Sequence, residues 1–141
     1  MRYMRKIVSL LVILALLGMG VSCSKRDTRD TVSGAVAMVV EYKTSQNYRG
    51  LWNASSVKFQ RSNDGDPVEY ERYARSYGVH PDEIEVMGVD ERNTEARVRV
   101  RAHYIQSDGS VAGSAVEEWR FVRENGGWFV DGYRTISESE K

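Results

Sequence analysis

The chain has one cysteine, two histidines and no surplus of either charge sign, with 20 Lys and Arg against 20 Asp and Glu in 141 residues. One cysteine excludes an intramolecular disulfide, whatever the redox compartment. His80 and His103, without a further cysteine or a spaced acidic cluster, fall short of a metal-ligand set, so neither a metal site nor a cofactor is expected. No serine lies in a nucleophile-elbow context. The glycines of "ENGGW" lie between strand-like runs and open no helix, which excludes a phosphate loop. A balanced charge argues against a nucleic-acid partner, which calls for a strong basic excess. Long apolar runs are scarce too: residues 7 to 21, "IVSLLVILALLGMGV", fall short of the roughly 20 residues that span a bilayer.

That run follows "MRYMRK", with Arg2, Arg5 and Lys6. A basic start, a short apolar stretch and small residues after it form a secretory signal peptide over residues 1–22, with an uncleaved N-terminal anchor as the alternative. The segment "GVSC" resembles the bacterial lipoprotein box: Val21 and Ser22 fit, and Gly20 stands where leucine is usual. The resemblance implies that Cys23 becomes the first mature residue and carries a diacylglyceryl thioether and an N-acyl chain such as palmitate. The membrane is then a partner through this lipid anchor, at about 0.8 kcal/mol per buried CH₂. A buried structural cysteine is the alternative, but nothing after Cys23 suggests a core. In Gram-negative lipoproteins Ser24, in place of Asp, implies the outer membrane with the domain facing the periplasm. Loss of Arg2, Arg5 and Lys6 leaves 17 basic residues against 20 acidic ones, a weakly acidic mature chain. About 119 residues remain, enough for one domain and not two.

Residues 23–30 carry the lipidated cysteine and a charged tether, "SKRDTRDT" being without apolar periodicity. Beyond it, Val32, Ala35, Val36, Val39, Val40 and Tyr42 fall at helical spacing behind Thr31 or Ser33 as cap. Tyr48, Leu51 and Trp52 suggest a second short helix, which Gly50 weakens. Asp66, Pro67 and Glu69 mark the start of another helix and Gly78 its stop. Its Tyr70, Tyr73, Ala74 and Tyr77 read as a packing face, with a ligand wall as the alternative. From residue 83 the period becomes two. "EIEVMGV", "EARVRVRAHYI", "AVEEWRFVR" and "WFVDGY" are strands, with turns at "SDGS" and "ENGG". Helices followed by antiparallel strands define an α+β domain.

This order, with "SQNYRGLW" near the end of the first helical region and the closing hairpin "WRFVRENGGWFVDGY", resembles the nuclear-transport-factor-2-like (NTF2-like, cystatin-like) α+β cone over residues 31–136, leaving 137–141 as a tail. The resemblance implies N-terminal helices packed on a curved antiparallel sheet, a ligand pocket or catalytic cavity inside it, and an outer face available for a homodimer. Val98, Val100, Ala102, Tyr104, Trp119, Phe121, Trp128 and Val130 are assigned to the inner face. Among them, Val98, Val100, Tyr104, Trp119, Phe121 and Trp128 are the candidate ligand-binding residues.

Family enzymes of the isomerase and cyclase type place an acid or base on that face. Strand parity puts Glu117 on the side of Trp119 and Phe121, so Glu117 with Tyr104 is the candidate catalytic pair. The preferred reading is nevertheless a solvated Glu117 at the rim. Asp131 and His103 are expected outside, the latter beside Arg97, Arg99 and Arg101, as a salt-bridged face or an anionic-partner surface. The leading function is non-catalytic: an envelope lipoprotein whose domain binds a small apolar ligand or a protein partner. The rivals are an isomerase- or cyclase-type enzyme, and a dimerising accessory domain of an envelope or cell-wall complex. The last would have its cone filled by Trp52, Tyr70, Tyr73 and Trp119.

Overall fold

Thr31 opens the first helix by accepting a hydrogen bond from Gly34 N at 3.0 Å, and α1 runs Val32–Thr44. The computed structural model describes residues 29 to 139, so the signal peptide, Cys23 and most of the tether lie outside the described residues. Val32, Ala35, Val36 and Val39 form one buried stripe of α1, as their spacing requires. Asn47 caps α2, Tyr48–Asn53. Ser56 caps a third helix, α3, Val57–Ser62, which carries no buried residue and gave no apolar periodicity to read. Asp66 caps α4, Pro67–Ser76, and Gly78 leaves it at φ 69°, the left-handed conformation that glycine adopts freely. Among the described residues no helix is long and apolar enough to cross a membrane.

Four antiparallel strands follow in sequential order: β1 Val79–Glu91, β2 Glu95–Gln106, β3 Val111–Glu124 and β4 Gly127–Ser139. β1 starts before residue 83, and β4 continues to Ser139, past the expected tail boundary. The β3–β4 turn is Asn125-Gly126 with φ 49° and 79°, the doubly left-handed pair that matches hairpin twist. Register shifts at five places interrupt the ladders. Such bulges add twist and bend the strands, here giving the curved sheet.

The α1 stripe and Leu51 pack on Val98, Val100, Trp119, Phe121, Trp128 and Val130. The edge of β4 is partly covered: Val130 N donates to Ala54 O at 2.9 Å and Ser56 N donates to Val130 O at 2.8 Å. Gly50 proves to be a packing requirement and not a weakness of α2. A Cβ there would lie 2.8 Å from the Tyr42 ring and 2.9 Å from the Asn47 amide nitrogen.

Candidate functional site

One end of the sheet stays open between α2, α3 and α4 and the strand ends. It encloses a cavity of about 510 Å³ into which six tyrosines face: Tyr48, Tyr70, Tyr73, Tyr77, Tyr104 and Tyr133. The stripe on α4 divides along its length. Tyr70 packs 5.5 Å from Trp52 and 6.0 Å from Phe59, centroid to centroid. Tyr73 and Tyr77 remain 61% and 62% exposed and stand edge to face at the mouth, their hydroxyls 2.6 Å apart. Thus Tyr70 packs as expected and Ala74 is half-buried, whereas Tyr73 and Tyr77 are not part of a packing face.

Beneath the cavity lies a carboxylate. Glu117 is 6% exposed, which corrects the rim placement. Alternation along β3 turns it inward with Trp119 and Phe121, and the pairing opposite Val100 sets it well inside the sheet. Burying a carboxylate is costly unless its lone pairs are occupied. Both oxygens here have donors: the Tyr104 hydroxyl on Oε2, and Trp119 Nε1 at 3.0 Å on Oε1. Tyr104 is paired with Gly113, and the next pair on the same face is Ala102 with Ala115. Small residues there leave room for the phenol to reach across to Glu117.

Lys43 stands one turn beyond Val39 on the inward stripe of α1. Its Nζ lies 3.9 Å from the Tyr133 ring centroid and 5.5 Å from that of Trp119. Burial pushes its pKa down, and the Glu117 charge offsets part of that. The same burial raises the phenols. Tyr70 is pushed up to about 12, mainly by desolvation and then by Tyr48. Tyr104 goes far above the usual range, through desolvation first, then the Glu117 charge and hydrogen bond. Tyr133 is raised by desolvation, with Tyr70, Glu117 and Tyr104 adding to it. Its hydroxyl is buried without a hydrogen-bond partner among the described residues.

This arrangement is suited to binding more than to proton transfer. Glu117 does not line the cavity, and each of its oxygens already accepts one hydrogen bond. Tyr104 keeps its proton, directed at Glu117. The pair therefore fixes the orientation of the Tyr104 ring in the cavity wall.

Of the six candidate ligand-binding residues, Tyr104 alone lines the cavity. Val98, Val100, Trp119, Phe121 and Trp128 are core, at most 3% exposed, because α1 covers that half of the sheet. Trp52 packs with Tyr70, yet the space beside them stays open, so the cone is not filled by its own aromatics. His80 belongs to β1 and lines the cavity, whereas His103 is exposed. Among the described residues no three His, Cys, Asp or Glu side chains converge as a metal site.

Lys43, Tyr48 and Tyr133 are the functional candidates that sequence reading missed. Lys43 was detectable, since it continues the stripe of Val36 and Val39. Tyr133 was not. Val130 pairs with Phe121 and Gly132 with Arg120, so Asp131 is an extra residue that reverses strand parity and turns Tyr133 inward against Trp119. Asp131 itself is held by Ser56 Oγ, which donates at 2.5 Å, and by Arg120 on the outer face at 3.4 Å. That outer face is crossed by further ion pairs, Arg101–Glu85 at 3.6 Å, Arg97–Glu118 at 3.8 Å and Arg134–Glu118 at 3.2 Å.

No family model and no curated protein matches the sequence. Solved structures do resemble the fold. A SEC-C motif containing protein from Rhodopseudomonas palustris aligns with a TM-score of 0.62 at 12% identity, over 77% of this chain and 80% of the other. A protein of unknown function with a cystatin-like fold from Nostoc punctiforme gives 0.51 at 14%, over 72% and 84%. An epoxide hydrolase of the LEH-like kind from M. tuberculosis gives 0.51 at 10%, over 72% and 74%. At these identities the likeness is one of architecture, the cystatin-like α+β fold.

Proposed function

We propose that this protein is a small-molecule-binding domain, without catalytic activity, held at the bacterial envelope by lipid on Cys23. The open, tyrosine-lined cavity of about 510 Å³ is the observation that carries the binding reading. It has the size of small-ligand sites, and its phenols offer flat apolar faces with polar tips. The anchor rests on the N-terminal sequence: a basic start, an apolar run and "GVSC". Ser24 favours the outer membrane, with the domain on the periplasmic side.

Native mass spectrometry of the full chain extracted from bacterial membranes tests both parts. A retained small-molecule mass supports binding, and its loss on mild activation leaves the bare protein for comparison. Bare protein at every energy contradicts it. The intact mass reports acylation, which C23S must abolish if the anchor is correct.

A second reading is an isomerase- or cyclase-type enzyme, favoured by the inward Tyr104–Glu117 pair. The fold hosts unrelated functions, an epoxide hydrolase among its structural neighbours, so architecture does not choose. The absence of Glu117 from the cavity lining weighs against it. An accessory domain dimerising through the sheet would have to cover the ion pairs of the outer face, and burying such charges is costly.

A further inference from the structure

Among the residues lining the cavity there is no carboxylate, and Lys43 is the one lysine or arginine, His80 being the other nitrogen base. Lys43 meets its surroundings through aromatic faces and the more distant charge of Glu117. Among the described residues its close contacts are the Tyr133 and Trp119 ring faces, and it forms no ion pair within 4.0 Å. An ammonium group packed on ring faces keeps N–H donors free for a ligand in the cavity. Glu117, whose oxygens accept from Tyr104 and Trp119, acts on Lys43 through its charge and not through an ion-pair contact.

The walls add a second property. Lys43 Nζ lies over the Tyr133 ring, Tyr48 and Tyr70 line the same cavity, and the Tyr133 hydroxyl is a buried donor without an acceptor among the described residues. Tyr104 contributes a ring face, its own proton being committed to Glu117. At the mouth the Arg75 guanidinium stacks 4.8 Å above the Tyr48 ring. Unmet donors at the inner end and aromatic faces along the sides define a ligand with one anionic, hydrogen-bond-accepting end and a flat apolar body.

We infer that the cavity binds a small aromatic or similarly flat organic acid, its carboxylate received by Lys43 and the Tyr133 hydroxyl and its body lying between tyrosine rings. This rests on the binding reading above and adds the ligand's class. A charge-assisted hydrogen bond in a partly desolvated site outweighs the neutral equivalent, whereas the apolar body contributes alike for an acid and its amide. The preference between the two therefore isolates the anion site.

The test uses indole-3-acetate and indole-3-acetamide as matched probes. Binding to the full chain in detergent micelles is followed by ligand-observed saturation-transfer NMR, with empty micelles as the blank. The acid should bind at least about tenfold more tightly than the amide. K43M, which keeps the apolar stem, should bring the acid down to the amide's affinity and leave the amide unchanged, while K43R should retain the preference. Equal binding of acid and amide to the unaltered protein overturns the anion site and leaves the binding cavity standing. A preference that survives K43M in folded protein overturns the role of Lys43. Binding of neither probe overturns the anion site and the binding cavity together. Should K43M fail to fold, the comparison on the unaltered protein still decides.

Discussion

The hydroxyl of Tyr104 on β2 donates to the buried carboxylate of Glu117 on β3, which the Trp119 indole also approaches at 3.0 Å. A charge inside the cone is thus tolerated because two donors converge on it. E117Q should lower stability by about 1.5–3 kcal/mol, the scale of a hydrogen bond to a charged group. Y104F should cost a similar amount, and the double variant less than the two added together. Urea unfolding of the three variants measures this. An unchanged E117Q would put Glu117 back in solvent at the rim.

Trp119 has no exposed surface and packs edge to face on Tyr133 at 5.8 Å. W119A should destabilise by about 3–5 kcal/mol, the range for removing a core aromatic. Thermal and urea melts report the loss, and an unaltered transition would mean that the inner and outer faces of β3 are exchanged.

Y133F should behave in the opposite way. It removes a buried hydroxyl without a partner among the described residues and keeps the ring that Lys43, Phe59 and Trp119 contact. Deleting an unsatisfied polar atom relieves a desolvation penalty of about 1–3 kcal/mol, so the free protein should be as stable as before or more so. A marked destabilisation would show that the hydroxyl has a partner.

At Gly50 two effects oppose each other. Helix propensity favours alanine by roughly 1 kcal/mol, but the added Cβ would press on the Tyr42 ring at 2.8 Å and on Asn47, the cap of α2. Overpacking of this kind costs about 1–3 kcal/mol. The net effect of G50A should be destabilising in chemical denaturation, and a gain in stability would mean that Tyr42 swings aside freely.

The buried phenols make the domain sensitive to alkali. Tyr70 ionises near 12 when folded and 10.0 when unfolded, and Tyr104 and Tyr133 are also raised. Above about pH 10 the unfolded chain has lost protons that the folded one retains, so stability is full below that pH and falls steadily towards pH 12. Lys43 acts in the opposite sense. Its lowered pKa makes folding more favourable as pH rises towards 10.5, above which it adds no further slope. Tyrosinate absorbance and thermal melts across this interval should show late, cooperative ionisation coinciding with unfolding. Tyrosines that titrate together at about pH 10 in folded protein would contradict their burial.

The α+β order, the capped start of α4 at Asp66-Pro67, the Asn-Gly hairpin and the inward set Val98, Val100, Trp119 and Phe121 are all written locally, in side-chain period and turn chemistry. These are short-range properties, so the sequence alone determined them. The cavity is different, because it depends on where bent strands leave α1 and on how far α4 stands from the sheet. α3 was invisible because it buries nothing that would mark its spacing. Parity brought Glu117 inside, but its burial depended on donors from two other positions, Tyr104 and Trp119. Tyr133 reached the same place only because Asp131 inserts one residue into β4 and is held there by Ser56, 75 residues earlier. Such long-range partners reverse what a local alternation dictates, and only the tertiary structure brings them together.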